Sequence, residues 1–189
     1  MKTKSEIRKI ILNIRNNMTK EQVLEKSSII MNKIISSEEY KKSQTVFIYM
    51  DFKNEVMTSK LIKTMLDEGK KVVIPYTDTV NTVIIPVELH DMENDLKISP
   101  FGYMEPKIEN INPVNTKEFD LIIVPGVVFD KNLNRIGFGK GYYDRILINK
   151  RSDVKAVAVA YELQVLEEIP SEEHDVKMDM IITEENIYN

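Results

Sequence analysis

The chain has 189 residues, 42% of them apolar and 30% charged, which suits one domain with a sizeable core. Its 26 basic and 30 acidic residues leave a net charge of −4, so no global positive field is offered to nucleic acid. The lack of cysteine rules out disulfides, thiolate metal sites and cysteine nucleophiles. No apolar run reaches the ~20 residues of a membrane helix, and the charged opening MKTKSEIRKI lacks the apolar stretch of a secretory signal. A cytoplasmic monomer with no nucleic-acid or membrane partner is expected.

In residues 4–18, Ile7, Ile10, Ile11, Ile14 and Met18 fall on one helical stripe, with Lys4, Arg8 and Arg15 off it. Thr19 and Gln22 have the spacing of a capping box. A second helix therefore starts there and runs through Val23, Ile30, Met31 and Ile34 until the polar SSEEYKKS stretch ends it. The period then shortens. Residues 45–50 (TVFIYM) predict a buried strand and 71–75 (KVVIP) another. Between them, 58–68 predict a helix on Leu61, Ile62, Met65 and Leu66, stopped by Gly69. This β-α-β order implies a parallel sheet with helices on its faces. Residues 83–87 read as a strand, and 88–118 as extended segments and loops. Residues 120–125 (DLIIVP) carry the strongest strand signal. A helix over 142–150 and strands over 155–160 and 180–183 complete the chain. No internal repeat or boundary divides it, so residues 1–189 form a single α/β domain.

The stretch with chemical content is PGVVFDKNLNRIGFGKGYYD, residues 125–144. Gly137, Gly139 and Gly141 follow a buried strand at every second position, and glycines let backbone N–H groups approach a ligand closely. Arg135 and Lys140 add positive charge, and a helix starting near Gly141 would present its N-terminal dipole to an anion. The build is that of a phosphate cradle. The spacing is neither a Walker A loop nor the dinucleotide G-x-G-x-x-G.

RIGFGKGYYD preceded by PGVVFD resembles the signature of the 5-formyltetrahydrofolate cyclo-ligase family, also called methenyltetrahydrofolate synthetase. The likeness extends to KSEIR (residues 4–8), YMDFKNEV (49–56) and HDVKMD (174–179), in family order. One departure stands out: the family usually shows Arg where this chain has Phe138. The resemblance implies a three-layer α/β fold with a mostly parallel sheet, similar to ribose-phosphate isomerases and CoA transferases. It implies ATP and 5-formyltetrahydrofolate as substrates, with Mg²⁺. For ATP it implies Lys4, Ser5, Glu6, Ile7 and Arg8, together with Arg135, Ile136, Gly137, Phe138, Gly139, Lys140, Gly141, Tyr142 and Tyr143. For the folate it implies Arg8, Met50, Glu55 and the shared residues Phe138, Gly139, Lys140, Gly141 and Tyr142. Asp144 and Asp175 are the implied Mg²⁺ carboxylates, and Arg135, Lys140 and Tyr142 the residues closest to the chemistry. Phe52 is a candidate stacking wall, whereas His90 and His174 are assigned no chemistry. Two other readings compete: a folate-binding protein without turnover, and an enzyme of the sugar-phosphate isomerase type.

Overall fold

In the computed structural model, residues 2–107, 109, 112–172 and 175–189 are described. Helix α1 (Lys4–Asn16) opens on a capping box in which the Thr3 hydroxyl accepts from the Glu6 N–H and the Glu6 carboxylate accepts from the Thr3 N–H at 2.7 Å. The box expected at Thr19 and Gln22 starts helix α2 (Lys20–Ser36). The SSEEYKKS stretch does more than end that helix. Ser37 breaks it, caps a new short helix α3 (Glu38–Lys42), and Tyr40 anchors that helix at 2% exposure.

Strand β1 (Thr45–Ile48), helix α4 (Ser59–Asp67) and strand β2 (Lys71–Asp78) follow. Gly69, with φ +74°, turns the chain out of α4 where L side chains are strained. Strand β3 (Val83–Leu89) returns antiparallel along β2. The segment read as extended pieces and loops contains a two-stranded antiparallel pair, β4 (Leu96–Ile98) and β5 (Met104–Pro106). After it come β6 (Leu121–Val124), the hairpin β7 (Val128–Asp130) and β8 (Arg135–Ile136), and helix α5 (Tyr142–Ile148). Strands β9 (Lys155–Val159), β10 (Val165–Leu166), β11 (Met180–Ile182) and β12 (Ile187–Tyr188) finish the chain.

The main sheet runs β12-β11-β9-β6-β1-β2-β3, parallel except at its two outer pairs. Its strands alternate strictly between two cores, as a period of two requires. Val46, Ile48, Val72, Ile74, Leu121 and Ile123 face α2 and α4. Phe47, Val73, Ile122, Val124, Ala156 and Ala158 face α5 on the other side. These three layers are the expected architecture. A small sheet, β10-β7-β8, stands beside it and is covered by Ile7 and Ile11 of α1.

The stripe on α1 differs from the sequence reading. The buried line is Ile7, Ile11 and Arg15, whereas Ile10 and Ile14 are 41% and 44% exposed. Positions i, i+4 and i+8 lie on one helical face, so Arg15 belongs to the stripe and is 2% exposed.

Candidate active site

The place where ligands can enter follows from chain direction. From β1 the chain moves through α4 to β2 on one side, and from β6 through α5 to β9 on the other. Since β1 and β6 are neighbours, a crevice opens beyond their carboxyl ends, where connections diverge to opposite faces. The loop after β1 carries Glu55, and the chain after β6 passes through Pro125 and Gly126 into the β7–β8 hairpin and the glycine loop.

A cleft of about 430 Å³ lies there, with the whole run from Arg135 to Arg145 on its wall and Lys4, Arg8 and Asp175 across from it. Gly139 and Gly141 take φ of +97° and +67°. A β-carbon on Gly139 would stand 3.4 Å from the Arg8 guanidinium, so the loop's closeness to α1 depends on that position. Arg8 ties the loop down by donating from Nε to the Gly137 carbonyl at 2.7 Å. Arg135, its side chain 5% exposed, donates to Asp144 Oδ1 at 2.6 Å and lies over the Tyr143 ring. Lys4 meets Asp175 at 2.6 Å and Glu172 at 3.4 Å. Burial pulls the Lys4 ammonium down, but the two carboxylates outweigh it and hold its pKa above the usual value.

Four basic side chains, Lys4, Arg8, Arg135 and Lys140, thus line one cleft with a glycine-rich backbone. Charge-assisted donors of this kind recognise a polyphosphate. Asp144 and Asp175 line the same cleft. Among the described residues no group of three or more His, Cys, Asp or Glu could enclose a metal by itself. Two carboxylates beside a phosphate cradle suit a hard cation that completes its shell with phosphate oxygens and water, so the donor set fits Mg²⁺.

Not every residue implied by the resemblance lies on the cleft wall. Ser5, Glu6 and Ile7 do not: the Glu6 carboxylate is engaged in the α1 cap, and Ile7 packs against Val127 and Val128. Met50 packs on the core beneath α2 and α4. Glu55 stands behind the cleft, 7% exposed, accepting from the Phe52 N–H at 3.0 Å. Burial raises its carboxyl to about 7, against the opposing pull of Arg15 and of that N–H. Tyr143 joins the two regions, because burial and the nearby Glu55 charge push its phenol far up. Phe52 forms an edge contact with Tyr103, which in turn stacks on Phe101. His90 is an exposed side chain 3.7 Å from Glu88, and His174 lies outside the described residues.

The model for the 5-formyltetrahydrofolate cyclo-ligase family matches residues 1–184. The chain belongs to that family. The cyclo-ligase of Haemophilus influenzae is 30% identical over 178 residues, which span 93% of this chain and 94% of that protein. A probable cyclo-ligase of Schizosaccharomyces pombe is 31% identical, over 99% of this chain and 98% of its own. In three dimensions the chain resembles the 5,10-methenyltetrahydrofolate synthetase of Aquifex aeolicus, with a TM-score of 0.85 and 36% identity, covering 97% and 91% of the two chains. The fold expected from the sequence is thus shared with a solved member of the cyclo-ligase family.

One residue of this cyclo-ligase-family site escaped the sequence reading. Arg15 reaches from α1 under the loop: its guanidinium carbon is 5.8 Å from the centre of the Phe138 ring, and Nη2 is 4.0 Å from Glu55 Oε1. Its eight-residue spacing from Ile7 was the available signal. Among the described residues, no helix is long and apolar enough to cross a membrane.

Proposed function

We propose that the protein converts 5-formyltetrahydrofolate to 5,10-methenyltetrahydrofolate, consuming ATP and releasing ADP and phosphate. The observation that carries this reading is the glycine loop of residues 137–141, ringed by Lys4, Arg8, Arg135 and Lys140, in a chain of the cyclo-ligase family.

In this reading the formyl oxygen on N5 attacks the γ-phosphorus of ATP and ADP departs. N10 then attacks the activated formyl carbon. Loss of the N10 proton and of phosphate leaves the closed ring. No protein nucleophile is needed, so the site's task is to align the reactants and stabilise negative charge. Arg135, held at 2.6 Å by Asp144, and Lys140 would face the transferring phosphoryl group, while Lys4 and Arg8 hold the rest of the phosphate chain from α1. Tyr142, at the start of α5, lines the cleft where the two substrates would meet. Asp144 and Asp175 would hold Mg²⁺, which when bound neutralises charge on the phosphates. On the folate side, Glu55 suits the pterin ring, whose amino group and ring N–H are donors that an ionised carboxylate can accept from.

The test is direct. Purified protein with 5-formyltetrahydrofolate, Mg²⁺ and ATP should develop the near-ultraviolet absorbance of the methenyl product, with stoichiometric ADP. Lys140→Ala and Asp144→Ala should each lower turnover by about 100-fold or more while leaving the far-ultraviolet circular dichroism unchanged. ATP hydrolysis no faster with the folate than without it would refute the assignment.

A further inference from the structure

The reaction just described makes no use of Arg15, although its charge is held away from water at 2% exposure. A cation in such a place costs desolvation that a well-packed apolar side chain would avoid. Nor is it tightly paired. Nη1 donates to the Gly126 carbonyl at 3.2 Å, Nη2 stays 4.0 Å from Glu55 Oε1, and Nε has no hydrogen-bond partner among the described residues. A pair built for stability would close to a bidentate contact near 2.8 Å (~2.7–2.9 Å is usual). Phe138, 57% exposed and flanked by Gly137 and Gly139, spreads its ring over the guanidinium.

We propose that Arg15 is a positioning residue for the folate: it holds the Glu55 carboxylate in its charged, accepting form, beneath the Phe138 ring. The inference rests on the cyclo-ligase reading given above. Apart from the Phe52 N–H, which donates to the carboxylate at 3.0 Å, the groups facing Glu55 leave this task to Arg15. Asp51, in the loop after β1, opposes its ionisation. Tyr49, just after β1, and Tyr143 of α5 are held neutral, with phenols pushed far above their ordinary range by burial. Tyr161, after β9, donates to the Glu55 backbone carbonyl at 3.0 Å rather than to its carboxylate. Arg15 is the cation that remains.

Its effect can be sized. With Arg15 in place, Glu55 titrates at about 7. Removing an opposite charge at this range raises a carboxyl by ~1–3 units. A one-unit rise lowers the ionised fraction at neutral pH from about a half to about a tenth. The efficiency toward folate should therefore fall by about fivefold or more.

The experiment compares wild type, Arg15→Met, Arg15→Gln and Arg15→Lys, each alone and with Glu55→Gln, by methenyl-product kinetics from about pH 6 to 9. Arg15→Met should raise the KM for 5-formyltetrahydrofolate about fivefold or more at neutral pH, keep the KM for ATP within about twofold, and move the acid limb of kcat/KM upward by about one unit or more. Arg15→Lys should restore most of the loss. With Glu55→Gln already present, Arg15→Met should add nothing to the folate KM. Equal changes in both KM values with an unmoved limb, or an undiminished effect in the Glu55→Gln background, would make Arg15 a plain structural tie and overturn the inference. If Arg15→Met does not fold by circular dichroism, Arg15→Gln gives the same readings while still able to donate to the Gly126 carbonyl, and its failure to fold would likewise overturn it. A wild type inactive with folate and ATP would remove the cyclo-ligase reading and this inference together. An active wild type with indifferent variants removes this one alone.

Discussion

Replacing Glu55 by glutamine should change how the protein's stability depends on pH, by an amount that follows from the carboxylate's surroundings. Glu55 is 7% exposed, and burial lifts its carboxyl from an ordinary 4.5 to about 7 in the folded state. A carboxyl with a raised folded-state pKa binds its proton more tightly folded than unfolded. Its contribution to stability is therefore fully present below about pH 4.5 and is lost as pH rises through about 7. The full span is about 3 kcal/mol, from about 2.5 pKa units at 1.36 kcal/mol each, and about 2.5 kcal/mol of it falls between pH 5 and pH 8. Glutamine keeps an acceptor for the Phe52 N–H but cannot titrate. Whatever constant cost it incurs beside Arg15 cancels when one pH is compared with the other. Urea unfolding followed by circular dichroism at pH 5 and pH 8 should show wild type losing about 2.5 kcal/mol relative to Glu55→Gln on going to the higher pH. A difference between the two proteins that stays constant within about 0.5 kcal/mol would mean that Glu55 ionises normally, and would refute the burial argument.

Gly126→Ala should destabilise by about 1–3 kcal/mol or more in a thermal melt, since its β-carbon would come within 2.3 Å of the Phe129 ring. Gly139→Ala should cost about 1–3 kcal/mol of backbone strain at φ +97°. Because the added carbon also crowds Arg8 at 3.4 Å, its KM for ATP should rise and its melting temperature fall. Removing divalent cations with a chelator should abolish turnover while leaving circular dichroism intact, and excess Mg²⁺ should restore it, with Asp144→Asn needing more Mg²⁺ for half-recovery.

The layers of the fold could be read from the sequence because they rest on local periods. Alternating residues such as Val46, Phe47 and Ile48 divide between two cores, and Leu61, Ile62 and Met65 fill one face of α4. Thr19 and Gln22 placed the start of α2 by hydrogen-bonding chemistry alone. What stayed hidden depends on partners distant in sequence. Strands β7, β8 and β10 are only two or three residues long, so no period marks them, and β10 reaches β7 from 36 positions away, Val165 opposite Phe129. Arg15 was set aside because a charge is ordinarily a solvated group, whereas the Gly126 carbonyl and Glu55 that receive it lie 111 and 40 positions away. Likewise the sequence of the glycine loop points to a phosphate cradle, but it could not show that Arg135 would be matched by Asp144, or that Arg8 would fasten Gly137.

The two halves of the site come from different connections, and this explains why α1 matters to both. The half proposed to bind phosphate belongs to the path from β6 to β9, and the carboxylate Glu55 to the path from β1 to α4. Nothing in the sheet itself fixes the distance between these loops, since each leaves its strand toward an opposite face. Helix α1 lies across the gap instead. Arg8 bonds to the glycine loop, Arg15 bonds to Gly126 and faces Glu55, and the backbone carbonyl of Arg15 accepts from Asn54, the neighbour of Glu55, at 3.0 Å. About two turns of helix, from Arg8 to Arg15, thus set the spacing between the glycine loop and Glu55. A reaction in which one bound substrate must reach the terminal phosphate of the other depends on that spacing above all.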